Sequence, residues 1–179
     1  CVCNTVDRSQ RLQREVQARL PGVECRLLHS RFYPADRRVL ERFLLEEFER
    51  SSGEVILIAT QVVEVGLDIS ADVLLTECAP ASSLIQRAGR CARREGEQGR
   101  VVVFQPLDDE GNVNYAPYGK GDEGDDLEAV CEKTWATLIG SDFDGQVVRF
   151  AEEQKLVDAT HGEADEAFAR TLEQQVDAR

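Results

Sequence analysis

The chain is 179 residues long, 42% hydrophobic and 6% aromatic, with a formal net charge of −13. That suits one aliphatic-cored domain or a domain plus an appendage, and no apolar run approaches a membrane span, nor is a signal peptide visible. Six cysteines show neither a CxxC pair nor zinc spacing, and the two histidines lie far apart, so no metal site is expected and a reducing cytoplasm is favoured.

The chain opens CVCNTV, a short apolar strand, with no initiator and no Met anywhere, which reads as a piece cut from a longer protein. A helix is predicted from about Ser9 to Leu20, where Val16 and Leu20 share a face, and Pro21-Gly22 breaks it. VECRLLH is the next strand. Pro34 opens a helix through about Arg50, ended by Ser51-Ser52-Gly53. EVILIAT is a near-continuous β-branched and aliphatic run of the kind buried on both faces of a parallel sheet, and DVLLTEC is another. A helix from Ala81 to about Arg93, capped by Ser82 or Ser83, leads through Gly96 and Gly99 to the strand RVVVFQP. The alternation predicts an α/β domain with a mainly parallel sheet. Residues 107–126 read as an acidic Gly/Asp-rich loop or linker, LEAVCEKTWATLI as an amphipathic helix, and the remainder, ending AFARTLEQQVDAR, as carrying one more helix. There is no internal repeat.

Charge divides the chain near Gln105-Pro106. Through residue 105 there are 15 Arg, no Lys and 15 acids, whereas 6 Lys plus Arg against 19 acids follow, so the second part carries all of the −13. An acidic surface argues against phosphate binding there and leaves the first part open.

In open α/β sheets ligands bind at the carboxyl ends of strands. The segments expected there are Asn4-Thr5, His29-Ser30-Arg31, Thr60 to Ser70, and Cys78-Ala79-Pro80. Alone, His29-Ser30-Arg31 is an ordinary polar turn. In TQVVEVGLDIS, Gly66 permits an unusual backbone, and Glu64 or Asp68 could orient arginines, accept a ribose hydroxyl or pair with surface arginines. Within LIQRAGRCARR, Arg87, Arg90 and Arg93 are three apart, and on a helix they would form a comb of guanidinium groups. Such a comb is solvated, internally paired or aimed at an anion, and a planar fork suits paired phosphate oxygens. No GxxxxGK[ST] occurs, Gly119-Lys120 lacks its flanking residues, and Asp122-Glu123-Gly124-Asp125 follows no strand, so this chain is not expected to hydrolyse ATP alone.

CNTV, LLHSRF, ATQVVEVGLDIS and SLIQRAGRCAR, in that order, resemble the second RecA-like lobe of superfamily 2 helicases. More closely, they are similar to the helicase core of the CRISPR-associated helicase-nuclease of type I interference systems, over roughly residues 1–105. The resemblance implies a RecA-like three-layer lobe at residues 1–106, and at 127–179 a helical appendage or a linker to a C-terminal domain. It further implies ATP, with Mg held mainly by a first RecA-like lobe, single-stranded DNA across both lobes, and docking to a CRISPR surveillance complex. Carried over, Gln86 would contact the γ-phosphate or attacking water, and Arg90 and Arg93 would be arginine fingers. Arg87 would pair with an acid across the cleft or within the lobe, and Gly66, Asp68 and Glu64 would lie by the nucleotide. Thr5, His29, Ser30, Arg31, Thr60 and Gln61 would contact the DNA backbone. Ala92 departs from the superfamily, which usually has Gly there. The metal-dependent HD nuclease of the family is not expected in these residues, which hold no His-Asp pair. Another superfamily 2 DNA or RNA helicase, or a non-catalytic interaction module keeping the fold, are the alternatives.

Overall fold

The computed structural model describes residues 1–50 (side chains to 48), 55–119, 126–140, 145 and 153–160. The chain divides into two units. One comprises Cys1–Glu77 and Ser83–Pro106, the other Cys78–Ser82 and Leu107–Arg179.

The first unit is an α/β sheet lobe. Its strands β1 (Glu24–Leu28) and β2 (Val55–Ala59) pair in parallel, as do β3 (Val73–Glu77) and β4 (Arg100–Phe104). Cys1–Cys3 joins the two pairs. Val2 bridges Ala59 on one side and Thr76 on the other, Cys3 N–H donates to the Ala59 carbonyl at 2.8 Å, and Glu77 N–H donates to the Val2 carbonyl at 3.0 Å. The spatial order is therefore β1, β2, Cys1–Cys3, β3, β4, and the first segment of the chain lies at its centre. Burial of that segment from both sides explains why it is as apolar as VILIA.

Alternate residues feed opposite faces of the sheet, as the period of two requires. Val2, Leu28, Leu57, Ala59 and Leu74 form one cluster with Leu44, flanked by Leu40, Phe43 and Phe48, all four from α2 (Pro34–Arg50). Cys3, Cys25 and Ile58 form the other, with Leu12 and Val16 of α1 (Val6–Arg19) against it. Helix α1 starts earlier than its apolar spacing indicates because Thr5 caps it, its hydroxyl accepting the Arg8 N–H at 3.3 Å.

The predicted helix from Ala81 to Arg93 is shorter in the structure: α3 runs Ala81–Ala88. Beyond it Ala71 N–H donates to the Arg90 carbonyl at 2.9 Å and Ala92 N–H to the Ala71 carbonyl at 3.0 Å, a small parallel bridge that takes the groups a longer helix would use. A comb of three arginines on one helix face therefore does not form. In the second unit, Leu107 bridges Val113, and α4 (Leu127–Ile139) is capped by the Asp126 carboxylate accepting Ala129 N–H at 3.0 Å, with residues 153–160 helical as well. The expected helix stop at Ser51-Ser52-Gly53, the Asp122–Asp125 run, Lys120 and the terminal helix over AFARTLEQQVDAR lie outside the described residues. Among the described residues no helix is long and apolar enough to cross a membrane.

Candidate functional site

The carboxyl ends of Cys1–Cys3, β2 and β3 converge on one charged network. Arg87, 0% exposed, points into the lobe from the last turn of α3. Its Nε donates to Glu64 Oε1 at 2.9 Å, and one terminal nitrogen donates to Asn4 Oδ1 and Thr76 Oγ1, each at 3.0 Å, and to the Glu77 carbonyl at 3.1 Å. Of the two pairings open to it, the one observed is with an acid inside the lobe. A fully buried cation is tolerated only when paired and hydrogen-bonded, and here it is both.

Arg90 is half-buried at the turn beyond α3, where its Nε donates to the Val63 carbonyl at 3.0 Å and a terminal nitrogen to the Glu64 carbonyl at 2.9 Å. Burial, with Arg93 nearby, pushes its guanidinium below the usual range. Arg93 is different. Its side chain is 43% exposed and pairs with Asp68, itself 79% exposed, at 2.8 Å. Such a pair contributes little to stability and is readily exchanged for another anion. The Arg93 N–H donates to the Ser70 hydroxyl at 2.9 Å; that hydroxyl donates in turn to the Glu97 carboxylate, which also accepts Arg94 N–H at 3.0 Å. These two donors hold the exposed Glu97 carboxyl below its ordinary range. Gly66, at φ 87°, makes the turn between Glu64 and Asp68. Gln86 is exposed on α3.

The residues expected on the nucleic-acid side divide into buried and exposed members. Thr60 is buried, and its N–H donates to the Leu28 carbonyl at 3.1 Å. Gln61 Nε2 donates to the Asn4 carbonyl at 2.8 Å, beside the cap residue Thr5. His29 is 6% exposed; its ring lies 4.5 Å from that of Phe32 and its Nε2 is 3.3 Å from Gln10 Nε2, while Nδ1 is buried without a hydrogen-bond partner. Burial pushes the ring below the usual histidine range. Ser30 and Arg31 are exposed, and Arg31 meets Asp7 at 3.2 Å.

Three participants were not among the expected site residues: Asn4 as more than a strand-end marker, Arg8 and Glu77. The Glu77 carboxylate, buried at the end of β3, accepts Asn4 N–H at 2.6 Å and Arg8 Nη1 at 2.9 Å. A lone acid closing the apolar run DVLLTEC is the sequence signal that could have found it, since an acid there needs partners. Among the described residues no group of three or more His, Cys, Asp and Glu could hold a metal ion.

A family model described as CRISPR-associated nuclease/helicase Cas3, C-terminal, matches residues 1–96. A putative CRISPR-associated nuclease/helicase Cas3 of Methanocaldococcus jannaschii is 34% identical over 128 residues, covering 66% of this chain and 16% of that protein. The CRISPR-associated endonuclease/helicase Cas3 of Escherichia coli K12 is 41% identical over 97 residues, covering 51% and 11%. Crystalline T. fusca Cas3 with ATP superposes with a TM-score of 0.72 at 28% identity, covering 97% of this chain and 22% of that one. A chain of a CRISPR RNA-guided surveillance complex, pre-nicking, gives 0.66 at 26%, covering 99% and 24%. The chain thus spans only a small part of the relatives it matches. The match runs over more than half of this chain and through the carboxyl ends of Cys1–Cys3, β2 and β3, and the chain belongs to the family of the C-terminal region of CRISPR-associated nuclease/helicase Cas3.

Proposed function

We propose that this lobe is the second half of an ATP-driven motor that moves single-stranded target DNA toward a nuclease domain, supplying arginines to ATP held mainly by a first RecA-like lobe. Arg93 carries the reading: it is exposed just before the amino end of β3, bonded to Ser70 and held by a surface pair with Asp68 that a phosphate could replace. The residues fit a shared nucleotide. Gln86 and Arg93 are exposed, Arg90 lies near Arg93, and the space beside Gly66 is open. The chain has no phosphate cradle of its own. T. fusca Cas3 has been crystallised with ADP, AMPPNP and ATP, which supports nucleotide as the ligand. The surveillance-complex relative supports such a complex as the partner.

ATP would supply the phosphoryl group, and Mg, held mainly by a first lobe, would offset part of its charge. The work left to this chain is to neutralise charge that develops on the γ-phosphate, which planar guanidinium groups do well. Arg93 releases Asp68 and turns to the phosphate, Arg90 approaches from the same turn, and Gln86 contacts the γ-phosphate or the attacking water. Because the arginines come from a second lobe, hydrolysis requires closure, and closure shifts Thr5, Ser30, Arg31 and Gln61 along the DNA, while Thr60, expected there, is buried with its N–H on the Leu28 carbonyl. His29 is buried and supports the Ser30-Arg31 turn from beneath.

Arg93→Ala and Arg90→Ala in the full-length protein are expected to lower DNA-stimulated ATP turnover by about 10³-fold or more. DNA affinity should stay near that of the unmodified protein. Arg93→Ala loses only an exposed pair and so separates catalysis from folding. Near-normal turnover in both variants would overturn the finger assignment.

A further inference from the structure

The network that buries Arg87 contains one side chain whose chemistry no local structure demands. Asn4 is 1% exposed, and three of its bonds bear on the site. Two are main-chain: its N–H donates to Glu77 and its carbonyl accepts from Gln61 Nε2. Any residue could make these. The third, Oδ1 accepting from Arg87 at 3.0 Å, requires an acceptor at that position. The buried Arg87 guanidinium already donates to Glu64, Thr76 and the Glu77 carbonyl, so burial of that cation does not by itself demand a further acceptor at this position.

Asn4 also occupies the junction of the two proposed ligand sides. Thr5, next in sequence, lies on the DNA side with Gln61, which is bonded to the Asn4 carbonyl. Arg87, bonded to Asn4 Oδ1, holds Glu64. The carbonyl of that same Glu64 holds Arg90, the proposed finger. The links Thr5–Asn4–Arg87–Glu64–Arg90 are covalent or hydrogen-bonded throughout, and Asn4, Arg87 and Thr76 lie in a close-packed interior that transmits displacement rather than absorbing it. A second route exists along the main chain from Thr60 to Glu64, which bypasses Asn4, so the side chain is not required by connectivity alone.

We infer that Asn4 is a positioning residue that couples nucleotide to DNA: its Oδ1–Arg87 bond transmits a shift at Thr5 to Arg90, and the reverse. The inference rests on the motor reading above. Its measure is the ratio of single-stranded DNA dissociation constants with and without a non-hydrolysable ATP analogue, which by reciprocity also reports the effect of DNA on nucleotide.

The test uses the full-length protein, unmodified and as Asn4→Ala, Asn4→Leu and Asn4→Asp, each checked for a cooperative thermal transition. In the unmodified protein the ratio should differ from one by about fivefold or more. Asn4→Ala should bring it close to one. Asn4→Asp, which keeps an acceptor for Arg87, should retain most of it. Asn4→Leu, similar in shape but without an acceptor, should lose the ratio as Asn4→Ala does, whereas a simple packing role would keep it. The inference is overturned if Asn4→Ala keeps the full ratio, which would leave coupling to the Thr60–Glu64 main chain, or if Asp and Ala lose it equally. If the unmodified protein shows no ratio and no DNA-stimulated ATP turnover, the motor reading itself fails and takes the inference with it. DNA-stimulated turnover with an intact ratio in Asn4→Ala removes the inference alone.

Discussion

Ala92 adopts a φ of 49°, the only positive value at a non-glycine residue among those described. An L-residue in that region is disfavoured by about 1–2 kcal/mol because Cβ approaches the following carbonyl. The conformation is imposed from outside, since the Ala92 N–H is bonded to Ala71 and Gly99 lies against the turn. A Cβ on Gly99 would sit 2.5 Å from Cys91 Sγ and 3.0 Å from the Ala92 Cβ, so the turn closes only over a glycine there. Resemblance to the superfamily marks Ala92 as a departure, and the backbone supplies the reason a glycine is usual. What the residues alone could not show is that the strain is present, because φ is set by a distant partner, Ala71. Ala92→Gly should raise stability by about 0.5–1 kcal/mol, the steric relief less the added freedom of the unfolded chain. A urea midpoint shifted upward with unchanged slope is the expected result, and a lowered midpoint would show that the turn is held without strain.

Among the elements, the strands were legible and the end of α3 was not. VILIA and RVVVF announce themselves by composition, and their parallel pairing follows from the alternation with helices. Helix α3 stops at Ala88 because Ala71 captures the backbone at Arg90 and Ala92, a non-local bond that no periodicity contains. The difference matters for the site. Continued helix would align Arg87, Arg90 and Arg93, whereas the observed turn sends Arg87 inward, Arg90 to the 63–64 carbonyls and Arg93 to the surface. Arg87 thereby ties α3 to the segment after β2 and to β3. Removing one partner of a buried charged pair costs about 3–5 kcal/mol, because the remaining group is left without compensation. Arg87→Met should destabilise the lobe by about that amount. Adding Glu64→Leu should recover a good part of the loss, since the stranded carboxylate is gone as well. The check is chemical denaturation of both variants. A loss under about 1 kcal/mol for Arg87→Met would mean that Glu64 relaxes to solvent at little cost.

For the whole molecule, charge pattern and motif order marked out the part of the chain that the family model matches, residues 1–96, but the buried network was invisible because its members are scattered from Asn4 to Arg87. His29 is another case. Its place in LLHSRF suggests an exposed ligand, yet the fold encloses it beside Phe32 and Gln10, with Arg31 nearby adding to the disfavour for its cationic form. The consequence is a pH dependence of known sign. Burial lowers the folded-state value below that of an exposed histidine, about 6.5. The unfolded chain therefore binds the proton more readily, and the contribution of neutral His29 is complete above that pH. It is lost as pH falls from about 6.5 toward the lower folded-state value, with a slope of at most about 1.4 kcal/mol per pH unit. Glu97 and Asp108 are held below their ordinary ranges and titrate at more acid pH, outside this window. Any other group that titrates in this range is common to the unmodified chain and a His29→Phe variant. The difference between their stability profiles isolates the imidazole. It should be constant above about pH 7 and should move in favour of the variant as pH falls through 6. A difference flat across that range would place His29 in solvent and return it to the DNA-facing edge.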